Sequence, residues 1–247
     1  MRGNARERTW GVDAGGSGGR EVARAGAGTQ LSFADRKARG GPRKGAGRKA
    51  APRARQLHVT RPAHSWWNPV LVTLRRAKGV PSLRCGLLHR ELRAAVRRTR
   101  REDFRIVHYS IQADHVHLVV EADDRAALAA GMKSFAVSGA LRVNFRALRR
   151  KRGRVWGDRY HRRELGSPRQ VRNVLVYVLG NHLKHGELDV GLIDPCSSGP
   201  WFRDWMHPPE PPPEPTPVAS ARTWLLHRGW HDGWNFLFPG ELPHALR

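Results

Sequence analysis

The chain has 247 residues, with 45 Lys or Arg against 21 Asp or Glu and a formal net charge of +24. That length allows one sizeable domain with extensions, and so basic a surface selects polyanionic partners, phosphate backbones first. Cys85 and Cys196 are the only cysteines, which excludes a disulfide scaffold or thiolate zinc finger. No apolar run is long enough for a bilayer and the N-terminus lacks the apolar core of a signal peptide, so the expectation is a cytoplasmic, nucleoid-associated protein with no membrane partner.

Residues 1–57 are rich in Gly, Ala and Arg, lack apolar periodicity and read as a basic disordered arm, either solubilising or adding non-specific phosphate contacts. The folded domain is expected over 58–194. Residues 68–74 are β-branched and aliphatic, predicting a strand. Residues 87–101 place Leu88, Leu92, Ala95 and Val96 at helical spacing beneath a basic outer face. A second strand is predicted over 104–112, and Ala113-Asp114 turns the chain into a third. Asp123 or Asp124 caps a long helix that directs Leu128, Met132, Phe135, Ala136, Gly139 and Val143 inward. That helix ends in Arg149-Arg150-Lys151-Arg152-Gly153-Arg154. A solvated helix end accounts for such a run, but its cations repel one another unless an anion lies nearby.

A strand-like stretch, 155–165, precedes the clearest helix start in the chain. Ser167 stands at the N-cap, Pro168 at the first helical position and Gln170 at the third, a capping box. Val171, Val174, Leu175 and Val178 form the buried face, and Gly186 is placed to end the helix after Lys184 and His185. The element order predicts an α+β sandwich built on an antiparallel sheet. Beyond 194 the character changes to a Pro/Trp-rich C-terminal extension, 195–247. A stiff proline run over 208–215 leads to Trp224, Trp230 and Trp234, which either dock on the core or stack on bases.

The stretch Asp114-His115-Val116-His117-Leu118-Val119-Val120 carries the chemistry. On a strand, His115 and His117 share a face about 7 Å apart, while Val116, Leu118 and Val120 point the other way. Two imidazoles on adjacent same-face positions suit a metal, although histidine is also tolerated on half-exposed strands. Tyr177 and Asn181 are four residues apart, one turn along one helix face. The Asn181 carboxamide can join the two imidazoles, a mixed N/O set that suits Mg²⁺ or Mn²⁺ better than structural zinc. Tyr177 then stands beside the cation, or else is an amphipathic aromatic at a core boundary.

These residues resemble the REP-associated tyrosine transposases, single-tyrosine members of the HUH nuclease superfamily, over about 68–186. Asp114-His115-Val116-His117-Leu118 matches the family's histidine motif, Trp156-Gly157-Asp158-Arg159-Tyr160 its Trp-x-x-x-Tyr stretch, and Tyr177-Val178-Leu179-Gly180-Asn181 its Tyr-x-x-x-Asn helix. Family helices usually continue Asn-Pro, whereas Asn181 is followed by His182. That departure falls on the helix end and leaves the Tyr–Asn pair in place.

The resemblance implies a ferredoxin-like fold and a transposase that nicks and rejoins single-stranded or hairpin DNA through a 5′-phosphotyrosine. Tyr177 is then the nucleophile, with His115, His117 and Asn181 holding Mg²⁺ or Mn²⁺; Asp114 and Glu121, near the site in sequence, can each orient a ligand, or Asp114 is only a turn residue. Lys133, Arg142, Arg146, Arg149, Arg150, Lys151, Arg152 and Arg154 would hold the DNA backbone. Relatives are divided between monomers and dimers, so a homodimer is one of two expected states. Three alternatives stay open: Tyr160 as nucleophile, a catalytically inactive protein that binds structured DNA, and an RNA-binding protein using the basic surface and aromatics.

Overall fold

In the computed structural model, which describes residues 62–184, 192–231 and 236–241, the chain runs β1 (Val70–Arg75), α1 (Gly86–Arg98), β2 (Phe104–Ile111), β3 (His115–Ala122), α2 (Arg125–Arg142), β4 (His161–Glu164) and α3 (Pro168–Leu179). The strands pair antiparallel in the order β2-β3-β1-β4, the ferredoxin-like arrangement with β1 and β3 at the centre. The expected arm 1–57, the domain start at 58, Gly186 and Trp234 lie outside the described residues. Among the described residues, no helix is long and apolar enough to cross a membrane.

Strand alternation divides the side chains between two layers. Val70, Val72 and Leu74 of β1 and Val116, Leu118 and Val120 of β3 pack against Leu88 and Leu92 of α1 and Leu128 and Phe135 of α2. Leu71 and Val119 face the other way, onto Val171, Val174, Leu175 and Val178 of α3. Covered on both faces, β3 is buried at every residue. His115 and His117 therefore lie beneath α3 rather than on an open sheet face.

Asp124, one of the two expected caps, accepts a hydrogen bond from the Ala127 N–H at 2.7 Å and starts α2. The helix then crosses β2 so closely that a Cβ on Gly131 would lie 2.1 Å from the Phe104 ring. Gly131→Ala must displace that fully buried ring and should destabilise the fold by about 1–3 kcal/mol or more. A lowered urea midpoint with an unchanged denaturant slope is the expected reading. Past Arg142 the helix widens into a π-helical turn, Val143–Ala147, and the basic run begins at Arg149 with a φ of 51°, a left-handed conformation that breaks the helix. Of the strand-like stretch 155–165, only His161–Glu164 forms β4, while Trp156 makes a single bridge to Arg76.

At the start of α3 the Ser167 hydroxyl accepts from the Gln170 N–H at 3.3 Å. Gln170 reaches back to the Gly166 N–H at 2.8 Å, one residue beyond the usual capping-box partner. The helix does not continue to Gly186 as its sequence suggested. It stops at Gly180, and Asn181 opens a separate short helix, α4 (Asn181–Lys184). The close packing shows why glycine stands there: a Cβ at 180 would lie 2.8 Å from the Val176 carbonyl oxygen and 3.3 Å from that of Glu241.

The contact with Glu241 belongs to a wider covering of α3 by the C-terminal extension. Phe202, Trp205, Leu225, Leu226, Trp230 and Leu237 join the core on the α3 side. Glu121 accepts from the Arg222 and Thr223 N–H groups, each at 2.9 Å, and from the Thr223 hydroxyl at 2.8 Å, tying the extension to β3 just before α5 (Trp224–His227). Arg172 makes a bidentate pair with Glu241 at 2.6 and 3.0 Å. Arg172, Val176 and Leu179, on the face of α3 that the sequence left to solvent, are buried as a result.

Candidate active site

The register places four polar side chains on the α3 face beside the histidine pair. Thr73 stands opposite His117 and Arg75 opposite His115 on β1, Ser110 flanks His117 from β2, and His161 lies across Thr73 on β4. Tyr177 descends from α3 onto this row. Its hydroxyl is 3.1 Å from His117 Nε2, with the two rings edge-on at a centroid distance of 4.9 Å. His115 Nε2 lies 2.8 Å from the same His117 atom.

Each imidazole is held from behind. His115 Nδ1 is 2.5 Å from Asp114 Oδ1, and His117 Nδ1 is 3.0 Å from the Thr73 hydroxyl. With the Asp114 carboxylate accepting the Nδ1 proton, a neutral His115 presents a bare lone pair at Nε2. Two arrangements then satisfy the cluster. Thr73 can donate to His117 Nδ1, leaving His117 Nε2–H to donate to His115. Alternatively Thr73 accepts from His117 Nδ1–H, and both Nε2 lone pairs face one point, which calls for a cation. In the second case Asp114 and Thr73 are the outer partners that fix the tautomers of metal-ligating histidines.

Burial pushes the Tyr177 hydroxyl above its ordinary pKa, and the positive charge of Arg75 pulls it back. At Asp114 burial acts to raise the carboxyl, but the hydrogen bond with His115, its charge and that of Arg75 together hold it below the ordinary value. Arg75 thus acts on both ends of the site.

Among the described residues, no three His, Cys, Asp or Glu side chains gather as a metal cage, so a third protein ligand for any metal would have to come from another residue type. Asn181 answers to that. It is fully buried, and its Oδ1 and Nδ2 have no hydrogen-bond partner in the structure. An unpaired buried amide is costly unless a ligand satisfies it. The residues present therefore fit a divalent cation with N/O ligands. Asn181 lies beyond the break at Gly180, not along one continuous turn from Tyr177, and no hydrogen bond joins its side chain to the histidine pair.

The remaining sequence candidates separate. Tyr160 packs against the α1–α2 core, and Glu121 is occupied with the extension, leaving Asp114 as the carboxylate that touches a histidine. Arg142 pairs with Glu91 at 2.7 Å, Arg150 donates to Asn144 Oδ1 at 2.7 Å and Arg154 to the Trp156 carbonyl at 2.8 Å. Lys133, Arg146, Arg149, Lys151 and Arg152 are exposed. Helix α2 lies on the sheet face opposite Tyr177, but the basic run leads back to the site. Trp156 bridges Arg76, and the Gly157 N–H bonds the Arg75 carbonyl at 2.8 Å, at the sheet end that carries His115. Sequence reasoning missed Thr73 and Arg75. Their signal was present: polar residues alternating with Val72 and Leu74 on a strand of the same sheet.

Comparison with known proteins gives an independent reading. No curated protein matches the chain. A solved structure described as a REP-associated tyrosine transposase bound to a REP hairpin is similar at 16% identity and a TM-score of 0.43, covering 53% of this chain and 76% of that one. The family model described as "Transposase IS200 like" matches residues 83–181, a span that holds the histidine pair and Tyr177 and ends on Asn181. Through that segment, the chain is similar to the IS200-like transposases.

Proposed function

We propose that the protein cleaves and rejoins single-stranded or hairpin DNA with Tyr177 as its nucleophile. The observation that carries this reading is the approach of the Tyr177 hydroxyl to His117 Nε2 at 3.1 Å, with His115 Nε2 2.8 Å from the same atom. The phenolic oxygen attacks a backbone phosphorus, a P–O(Tyr) bond forms, and the P–O3′ bond breaks. The products are a 5′-phosphotyrosine and a free 3′-hydroxyl, whose oxygen takes up a proton. Because one phosphoester replaces another, the same 3′-hydroxyl or a different one can reverse the step and rejoin a strand.

His115, His117 and Asn181 would hold Mg²⁺ or Mn²⁺, which supplies polarisation of the phosphoryl oxygens and neutralises their charge. Asp114 and Thr73 keep the imidazoles in register. Arg75, exposed at the mouth of the site, favours the phenolate and meets the incoming phosphate. The exposed cations of α2 and of 149–154 extend the backbone contacts, and the arm 1–57 adds non-specific ones to the domain 58–194.

Purified protein incubated with a hairpin oligonucleotide bearing a single-stranded flank should nick it in Mn²⁺ or Mg²⁺. Chelation should stop the reaction and added Mn²⁺ restore it. Nicking indifferent to chelation removes the metal from this account. Tight hairpin binding without nicking in any divalent metal identifies a DNA-binding protein that has lost the reaction.

A further inference from the structure

The C-terminal extension, itself beyond the residues that match the family model, builds a second feature. Against β2 it forms a cleft of about 1220 Å³ lined by Trp201, Arg203, Trp224 and Arg228, among others. Trp224 is 63% exposed, an unusual state for so large an apolar ring. Its indole lies close over the extension's own chain: a Cβ on Gly229 would lie 2.7 Å from it. The six-membered ring lies close to Gly229, and most of the side chain is open. Trp201 also lines a smaller cavity of about 220 Å³ with Arg90, Arg93 and Arg97 of α1, and its indole N–H donates to the Glu214 carbonyl at 3.2 Å. The Arg93 guanidinium lies 5.8 Å from the Trp201 ring centroid.

Charge in the larger cleft is one-sided. Arg203 and Arg228 are exposed, and Asp204, the one carboxylate among the described lining residues, lies 3.5 Å from His231. Fixed aromatic platforms interleaved with arginines are what a single strand needs, since its unstacked bases offer π faces and its backbone offers phosphates. A duplex, with its bases already stacked, cannot use Trp224.

We infer that this cleft is a second DNA site, binding single-stranded DNA with a base stacked on Trp224 and phosphates held by Arg203 and Arg228. The inference takes from the proposed function only that the polymer is DNA, and it uses neither Tyr177 nor the histidines.

The test is binding by the full chain in chelator, where no cleavage interferes. A fluorescein-labelled oligothymidylate and an abasic strand of equal length and charge are compared by anisotropy across a salt series. The protein should prefer the strand with bases, and Trp224→Ala should reduce that preference about fivefold to a hundredfold while leaving abasic binding unchanged. Trp224→Phe should keep most of it. Arg203→Gln with Arg228→Gln should flatten the log–log salt slope by about 1.4. A full base preference in Trp224→Ala overturns the inference.

Photocrosslinking of the unmutated protein to a bromodeoxyuridine strand supplies a check that does not depend on a variant folding. Adducts on Trp224 or Trp201 support the site, and adducts confined to other residues overturn it. Loss of nicking with this binding intact counts against the proposed reaction alone.

Discussion

Tyr177→Phe should fold and bind hairpin DNA as the parent protein does, yet lose nicking and covalent adduct formation by at least about a thousandfold. The size follows from removing a nucleophile rather than a contact, since the remaining groups can then only bind and polarise the phosphate. The fold should tolerate the change. Tyr177 is half-buried, and the phenyl ring retains its edge-on packing against His117. The loss includes the hydrogen bond to His117 at 3.1 Å, a contact worth about 1 kcal/mol. A denaturation midpoint close to the parent's, measured beside a gel assay for the adduct, separates chemistry from stability. Retained adduct would show that the oxygen attacking phosphorus is not that of Tyr177.

His117→Ala should have the second largest effect, and of a different kind. Within about 3 Å this one imidazole meets His115 Nε2, the Tyr177 hydroxyl and the Thr73 hydroxyl. Its removal deletes a ligand, frees the tyrosine and leaves polar atoms unpaired in a buried space. Mn²⁺ affinity, read by calorimetry, should fall at least about a hundredfold, beyond the usual cost of losing only an outer-sphere partner. Nicking should fall with it, and stability should drop by about 1–3 kcal/mol from the cavity and the lost hydrogen bonds. Thr73→Val provides the contrast. It removes the partner of His117 Nδ1 without touching Nε2, so Mn²⁺ affinity should weaken only about tenfold. Equal losses in the two variants would mean that His117 acts through the fold and not through its Nε2.

How far the sequence predicted this site depended on whether local or distant parts of the chain decide each residue's surroundings. The caps at Asp124 and Ser167 were readable because a cap is made by residues three apart. The two-residue alternation of β3 was readable for the same reason, and it correctly sent Val116 and Leu118 away from His115 and His117. The end of α3 was not. Gly180 is set partly by the carbonyl of Glu241, some sixty residues later, and no local pattern announces that contact.

The same long-range covering explains one other departure, at Glu121, while the basic residues differ for a separate reason. Glu121 looked like a candidate to orient a ligand, but the Arg222–Thr223 segment claims both of its oxygens. Arg142, Arg150 and Arg154 looked like free cations, yet each has a partner within the chain. Thr73 and Arg75 were overlooked because pairing register, which brings β1 beside the histidine strand, is a property of the sheet and not of either strand alone.

The most direct test of the central claim is to map the covalent adduct. The chain contains three tyrosines, and their surroundings differ sharply. Tyr109 is fully buried, with burial pushing its hydroxyl far up, and Tyr160 packs against the α1–α2 core. Tyr177 has its hydroxyl against the histidine pair. Protein reacted with hairpin DNA in Mn²⁺, digested with trypsin and nuclease and examined by mass spectrometry should carry a 5′-phosphonucleotide on Tyr177. A nucleotide on Tyr160, or strand cleavage with no tyrosine modified, would contradict the account.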